Sequence, residues 1–190
     1  MIIFDDRYMD QEEKQELLSV LEKRTDWATD KDNELINNIV LDFNPDSLSE
    51  EAEFFVKKLD KFANYNRIDV TRVESITLIK VDQNSDREEI EYESPEIDEE
   101  EGNLILFISA NDSDAHTYVF NEKLGDAKSV DDLTVYTMFS PVLGRGFIVF
   151  PDRYYALSLP QKYPNQYFVK IKFKGQLIQN QSSTVYDLEM

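Results

Sequence analysis

The sequence predicts an α+β fold, with two N-terminal helices buttressing a sandwich or open barrel of short strands. Three observations carry that expectation. Two amphipathic helical patterns occupy the chain up to about residue 72. From Val73 onward, about eight short β-rich runs follow, separated by polar or Gly/Pro punctuation. Finally, 41% hydrophobic and 12% aromatic residues suit a chain that buries a core, despite a net charge of -19. At 190 residues the economical reading is one domain, 1–174, with helices in 1–72 and a β core in 73–174. Residues 175–190 read as a polar tail or an extra strand.

Taken in order, "IIF" is a short strand. Asp10 then fits an N-cap, with Glu13 three residues on completing a capping box. The helix that follows carries Leu17, Leu18 and Leu21 on one side and is expected to end near Arg24. Trp27, just beyond, is expected to pack that helix onto the core. "LINNIVLDF" is a further strand. The second helix starts at Ser47 or Ser49 and places Leu48, Ala52, Phe55, Leu59 and Phe62 along one stripe. The strands are then "VESITLIKV", "EEIEYE", "NLILFISA", "HTYVF", "LTVYTMF", "GFIVF", "YYALSL" and "YFVKIKF". Two stretches read as long loops, "SPEIDEEEG" and "NEKLGDAKSVDD". The "GRG" at 144–146 reads as a tight turn feeding a buried strand.

The composition excludes several classes. Without cysteine there is no disulfide, zinc-thiolate site, iron–sulfur cluster or thiol nucleophile. The acidity opposes direct binding to nucleic acid or to an anionic membrane, and the expected partner is a protein. No basic region followed by an apolar one opens the chain, and no apolar run approaches membrane-spanning length. The expected location is therefore cytoplasmic or virion-associated. Phosphate-binding glycine loops, nucleophile elbows and H-E-x-x-H motifs do not occur.

Two candidates for chemistry remain on the residues alone. His116 is the single histidine, and one imidazole cannot build a two-His-one-carboxylate metal face. It reads as a surface or hydrogen-bonded structural residue. Asp82, Asn84, Asp86 and Glu93 fall at alternate early positions and the last position of a calcium-loop pattern. Arg87 stands where that loop needs glycine, so a solvated acidic face is the simpler reading of Asp86–Glu101.

The order of pieces resembles the iron(II)/2-oxoglutarate-dependent oxygenases, specifically the small prolyl 4-hydroxylase-like members, over almost the whole chain. The segments carrying it are "IIFDDRYMDQEEKQELLSVLEKRTDW", "SITLIKVDQNSD", "EGNLILFISANDSDAHTYVF" and "FSPVLGRGFIVFPDRYYALSLPQKYPNQYFVKIKF". The resemblance implies a double-stranded β-helix (jelly-roll, cupin-like) with two buttressing helices, and it is consistent with a phage or other viral source.

It also implies where the family's site would lie. The iron-binding H-x-D pair matches Glu91-Tyr92-Glu93, or, with a slip of two residues, Glu89-Ile90-Glu91. The later iron histidine matches Ala156, and the base anchoring the co-substrate carboxylate matches Gln166. All depart from the pattern. A methyl group donates nothing to a metal, paired glutamates suit a loosely held hard cation, and an amide cannot neutralise a carboxylate. Lys170 and Lys172 share a strand face and could supply that charge. The expectation is a non-catalytic oxygenase-like fold kept as a binding or structural module, without cofactor, its old pocket filled by Tyr154, Tyr155 and Tyr167 or kept for a small ligand. The alternative is an active dioxygenase using Fe(II) and 2-oxoglutarate with His116 as a ligand. A third reading is an acidic protein that binds a basic host partner.

Overall fold

A computed structural model describes residues 3–31, 33–44, 47–83, 103–123, 125, 129–150, 153–163 and 165–178. Strand β1 (Ile3–Asp5) precedes helix α1 (Gln11–Glu22), strands β2 (Ala28–Thr29) and β3 (Ile36–Val40), and helix α2 (Glu50–Asn66). Then come β4 (Ile68–Asp82), β5 (Asn103–Ser109), β6 (Thr117–Lys123) and β7 (Val135–Phe139). Strands β8 (Gly146–Val149), β9 (Arg153–Leu157) and β10 (Asn165–Leu177) complete the order. Among the described residues, no helix is long and apolar enough to cross a membrane.

Both helices start where side-chain caps satisfy their first amides. In α1 the Glu13 amide donates to Asp10 Oδ1 at 2.9 Å, and the Asp10 amide donates to Glu13 Oε2 at 3.0 Å. Leu17 and Leu21 are buried, while Leu18 is only half-buried. In α2 the cap is Ser49, whose hydroxyl accepts from the Ala52 amide at 3.1 Å. Ala52, Phe55, Leu59 and Phe62 form the buried stripe. Leu48 does not belong to it: it precedes the cap, outside the helical register, and is exposed.

The strands form two antiparallel sheets. The larger has the order β1-β8-β5-β10-β4-β3-β2 and the smaller the order β7-β6-β9. From β5 onward the chain passes between them: β6 and β7 lie in the small sheet, β8 in the large, β9 in the small, β10 in the large. That alternation winds a double-stranded β-helix.

The central strands β5 and β10 of the large sheet are buried on both sides, between the helices and the small sheet. On β10, Tyr167, Val169, Ile171 and Phe173 face α1 and α2, together with Leu104, Leu106 and Ile108 of β5. The alternate positions Phe168, Ile105 and Phe107 face the small sheet and meet Val119, Phe139, Tyr155 and Leu157. This two-sided burial is why β5 reads as an unbroken apolar run. Trp27 packs on the helix side, 6.0 Å from the Tyr167 ring. The turn into β8 needs glycine twice. Gly144 has φ +80°, and a Cβ on Gly146 would lie 2.7 Å from the Phe62 ring.

Element limits differ from expectation in places. Strand β4 begins at Ile68 rather than Val73, because its first residues pair with the end of β10 while exposing Asp69, Thr71 and Arg72. An exposed strand end carries no apolar signature. The stretch "NEKLGDAKSVDD" is not all loop: it opens inside β6 and contains a 3-10 turn at Val130–Asp132. Strand β10 continues to Leu177, into the segment read as a tail. The expected strand "EEIEYE", the loop "SPEIDEEEG" and residues 179–190 lie outside the described residues.

Candidate functional site

The interior between the two sheets is where the family's site would fall. On β9, Tyr155 and Leu157 face this interior, whereas Ala156 faces the other way, against Tyr118 and Phe120 on the outer side of the small sheet. The strand match therefore brings a residue of the outer face to the histidine position. The inward positions flanking it carry a phenol and an isobutyl group. Tyr154 also lies on the outer face, and Tyr167 packs on the helix side, so of the three expected tyrosines only Tyr155 occupies the interior.

A stack of aromatic rings runs through that space. Phe139 stacks on Phe147 at 4.3 Å between centroids, and Phe147 on Phe107 at 5.3 Å. Tyr155 and Phe168 meet the Phe107 ring edge-on at 5.5 and 6.4 Å. Beside this stack a cavity of about 90 Å³ remains, lined by Asn38, Thr77, Phe107, Tyr155, Leu157 and Lys170, among others. The Lys170 ammonium lies 5.2 Å from the Tyr155 ring centre and 6.0 Å from that of Phe107, a cation held over two aromatic faces. Asp30, at the rim, accepts from Asn38 Nδ2 at 3.1 Å.

Gln166 is fully buried on the same face of β10 as Lys170. Its amide nitrogen donates to the carbonyls of Tyr167 at 3.2 Å and Asn111 at 3.5 Å. Asn111 knits the same corner, accepting from the Tyr167 amide and donating to the Asn165 carbonyl, both at 2.9 Å. The amide nitrogen of Gln166 is thus spent on backbone groups, and its Oε1 is buried with no partner among the described residues. Ser109 Oγ and Thr117 Oγ1 are likewise buried and unpartnered.

His116 stands apart. Its amide donates to Ser158 Oγ at 2.7 Å, its carbonyl accepts from the Ser158 amide at 2.8 Å, and its ring lies 6.3 Å from that of Tyr118. Tyr118 belongs to the outer face of the small sheet, so the imidazole is turned away from the interior. Asp82 is committed as well, to Lys80 at 2.7 Å and to Asn37 Nδ2 at 2.9 Å. Its partners in the calcium pattern (Asn84, Asp86, Glu93) and the matched pair Glu91 and Glu93, with Glu89, lie outside the described residues. Among the described residues no three His, Cys, Asp or Glu side chains come together as a metal site. The described interior side chains do not fit an iron(II) centre: none of the inward groups of β9 and β10 is an imidazole or carboxylate.

No protein-family model matches the chain, and no curated protein matches it. Solved structures do. The non-haem α-ketoglutarate-dependent epimerase SnoN of nogalamycin biosynthesis matches with a TM-score of 0.64 at 7% identity, over 91% of this chain and 78% of its own. SnoN has also been solved in complex with Fe³⁺, α-ketoglutarate and nogalamycin RO. A Trichoplax adhaerens prolyl hydroxylase, solved with a hypoxia-inducible-factor peptide fragment, matches at 0.61 and 8% identity, over 91% and 83%. A Pseudomonas putida prolyl-4-hydroxylase matches at 0.60 and 8% identity, over 91% of both chains. The chain therefore has an iron(II)/2-oxoglutarate-oxygenase-like fold, as the resemblance implied.

Sequence reasoning did not find Asn38, Thr77 and Phe107 as walls of the interior cavity. The alternation within each strand was readable, but which alternate set turns inward depends on sheet pairing between distant segments.

Proposed function

We propose that this chain is a non-catalytic protein on the oxygenase fold, acting as a binding module toward another protein or a small ligand. The observation that supports it best is the inward face of β9. Tyr155 and Leu157 occupy the places from which a ligating imidazole would have to reach the interior, and the aromatic stack beside them leaves a cavity of about 90 Å³. Gln166, at the position matched to the family's co-substrate anchor, brings no charge and has its amide engaged locally. The only histidine lies on the opposite side of the small sheet.

The test is turnover. The purified protein, supplied with Fe²⁺, ascorbate and 2-oxoglutarate, should release no succinate above a metal-free control. Iron-dependent succinate release from protein freed of contaminating enzymes would overturn this reading. It would favour an active dioxygenase whose carboxylate ligands come from Glu89, Glu91 or Glu93. For the binding role the charge of -19 favours a partner with a basic surface, and such a complex should weaken steeply as salt rises.

A further inference from the structure

A second cavity lies on the other flank of the sandwich, between β7 and β8 rather than between β9 and β10. It measures about 210 Å³ and is walled by Val119, Phe139, Val149 and Phe150, with Tyr136, Thr137 and Arg153 among its remaining lining residues. A cavity of about 150 Å³ already admits benzene, so this one has room for a compact organic molecule. Its walls are hydrocarbon and aromatic. Its one charged group is a cation, on a chain of net charge -19.

Arg153 is held ready. One guanidinium nitrogen donates to the Phe120 and Asn121 carbonyls, and the guanidinium carbon sits 5.4 Å from the centre of the Tyr136 ring. These contacts fix the plane without neutralising the charge, and among the described residues Arg153 forms no ion pair. Glu122, whose field reaches it, is committed to Thr134, accepting from the amide at 2.8 Å and the hydroxyl at 2.7 Å. A half-buried guanidinium at the wall of an apolar cavity, anchored through neutral carbonyls, presents its remaining donors to an anion.

We infer that this cavity binds a small amphipathic monocarboxylate, its apolar body among Val119, Phe139, Val149 and Phe150 and its carboxylate on Arg153. The site is separate from the interior cavity at Lys170 and does not depend on whether the fold retains oxygenase chemistry.

The probe is octanoate, titrated calorimetrically into the full chain, with octanamide as the neutral counterpart. Octanoate should bind, and octanamide at least tenfold more weakly, because it forgoes the charge-assisted contact. Arg153→Gln should weaken octanoate at least tenfold. Thr137→Phe, which adds a ring at the cavity wall and leaves Arg153 in place, should abolish binding. Lys170→Met should leave it unchanged. If Arg153→Gln fails to fold, the octanoate–octanamide comparison on the unmodified protein decides. The inference is overturned if octanoate does not bind at millimolar concentration, if octanamide binds as tightly, or if Lys170→Met rather than Thr137→Phe removes binding.

Discussion

Thr117 and Ser109 are fully buried hydroxyls whose oxygens have no partner among the described residues. A buried polar group left unpaired costs about 1–3 kcal/mol, whereas an apolar group of the same shape costs nothing of that kind. Thr117→Val should therefore raise the unfolding free energy by about 1 kcal/mol in urea titration. A loss instead would reveal an internal water on that hydroxyl. The carboxylates carry a pH signature. Burial alone would raise Asp5, but hydrogen bonds from the Arg7 side chain and amide outweigh it and hold the carboxyl below its ordinary range. In Glu13, too, burial pushes up and is outweighed, here by Lys61, the Asp10 amide and Lys58. Such depressed groups stabilise the fold above their unfolded values, and that contribution disappears as pH falls below about 4. Asp60 has the opposite sign: although its side chain is exposed, desolvation by the surrounding protein raises it, so its protonation adds a little stability just above that range. Stability measured against pH should fall below about pH 4. Asp5→Asn should flatten that fall, and Asp60→Asn should remove the small gain that precedes it.

Helix α2 closes on Arg67, an exposed residue held in the left-handed region at φ 55° and ψ 50°. Its amide still caps the carbonyls of Ala63 and Asn64, so the conformation is needed while the side chain is not. Arg67→Gly should stabilise the protein by about 0.5–1 kcal/mol, read as a higher urea midpoint at unchanged slope. At this scale the helices were legible because their signals are local: Asp10 with Glu13, Ser49, and apolar stripes at helical spacing. Most strands were legible for the same reason. The start of β4 was not, since solvent-facing Asp69, Thr71 and Arg72 look like any polar connection. The candidate site was legible only in part. Alternation shows that Ala156 and Tyr155 point to opposite sides, but pairing with β6 decides which side is the interior. Arg153 drew no attention in the sequence because its cavity is assembled with residues of β6, β7 and β8, which the sequence of its own strand does not signal.

For the molecule as a whole, the charge of -19 sets a background of self-repulsion in the compact state. Raising salt from about 0.01 M to 0.15 M shortens the screening length from about 30 Å to about 8 Å. The melting temperature should rise over that interval in sodium chloride. A fall would mean that the ion pairs joining α1 to α2, Glu13 with Lys58 and Lys61, outweigh the repulsion. The place of β10 has a consequence for the newborn chain. Among the described strands it alone is hydrogen-bonded to both β4 and β5, and it follows all the others in the chain. Without β10, the described strands β1, β8 and β5 would pair as one half-sheet and β4, β3 and β2 as another, with no described backbone bond between them. Each half shows a bare edge on the side destined for the middle of the molecule. The interval before β10 joins the sheet is thus when two bare edges stand open during synthesis, and β10 arrives as a keystone that makes two fragments one body.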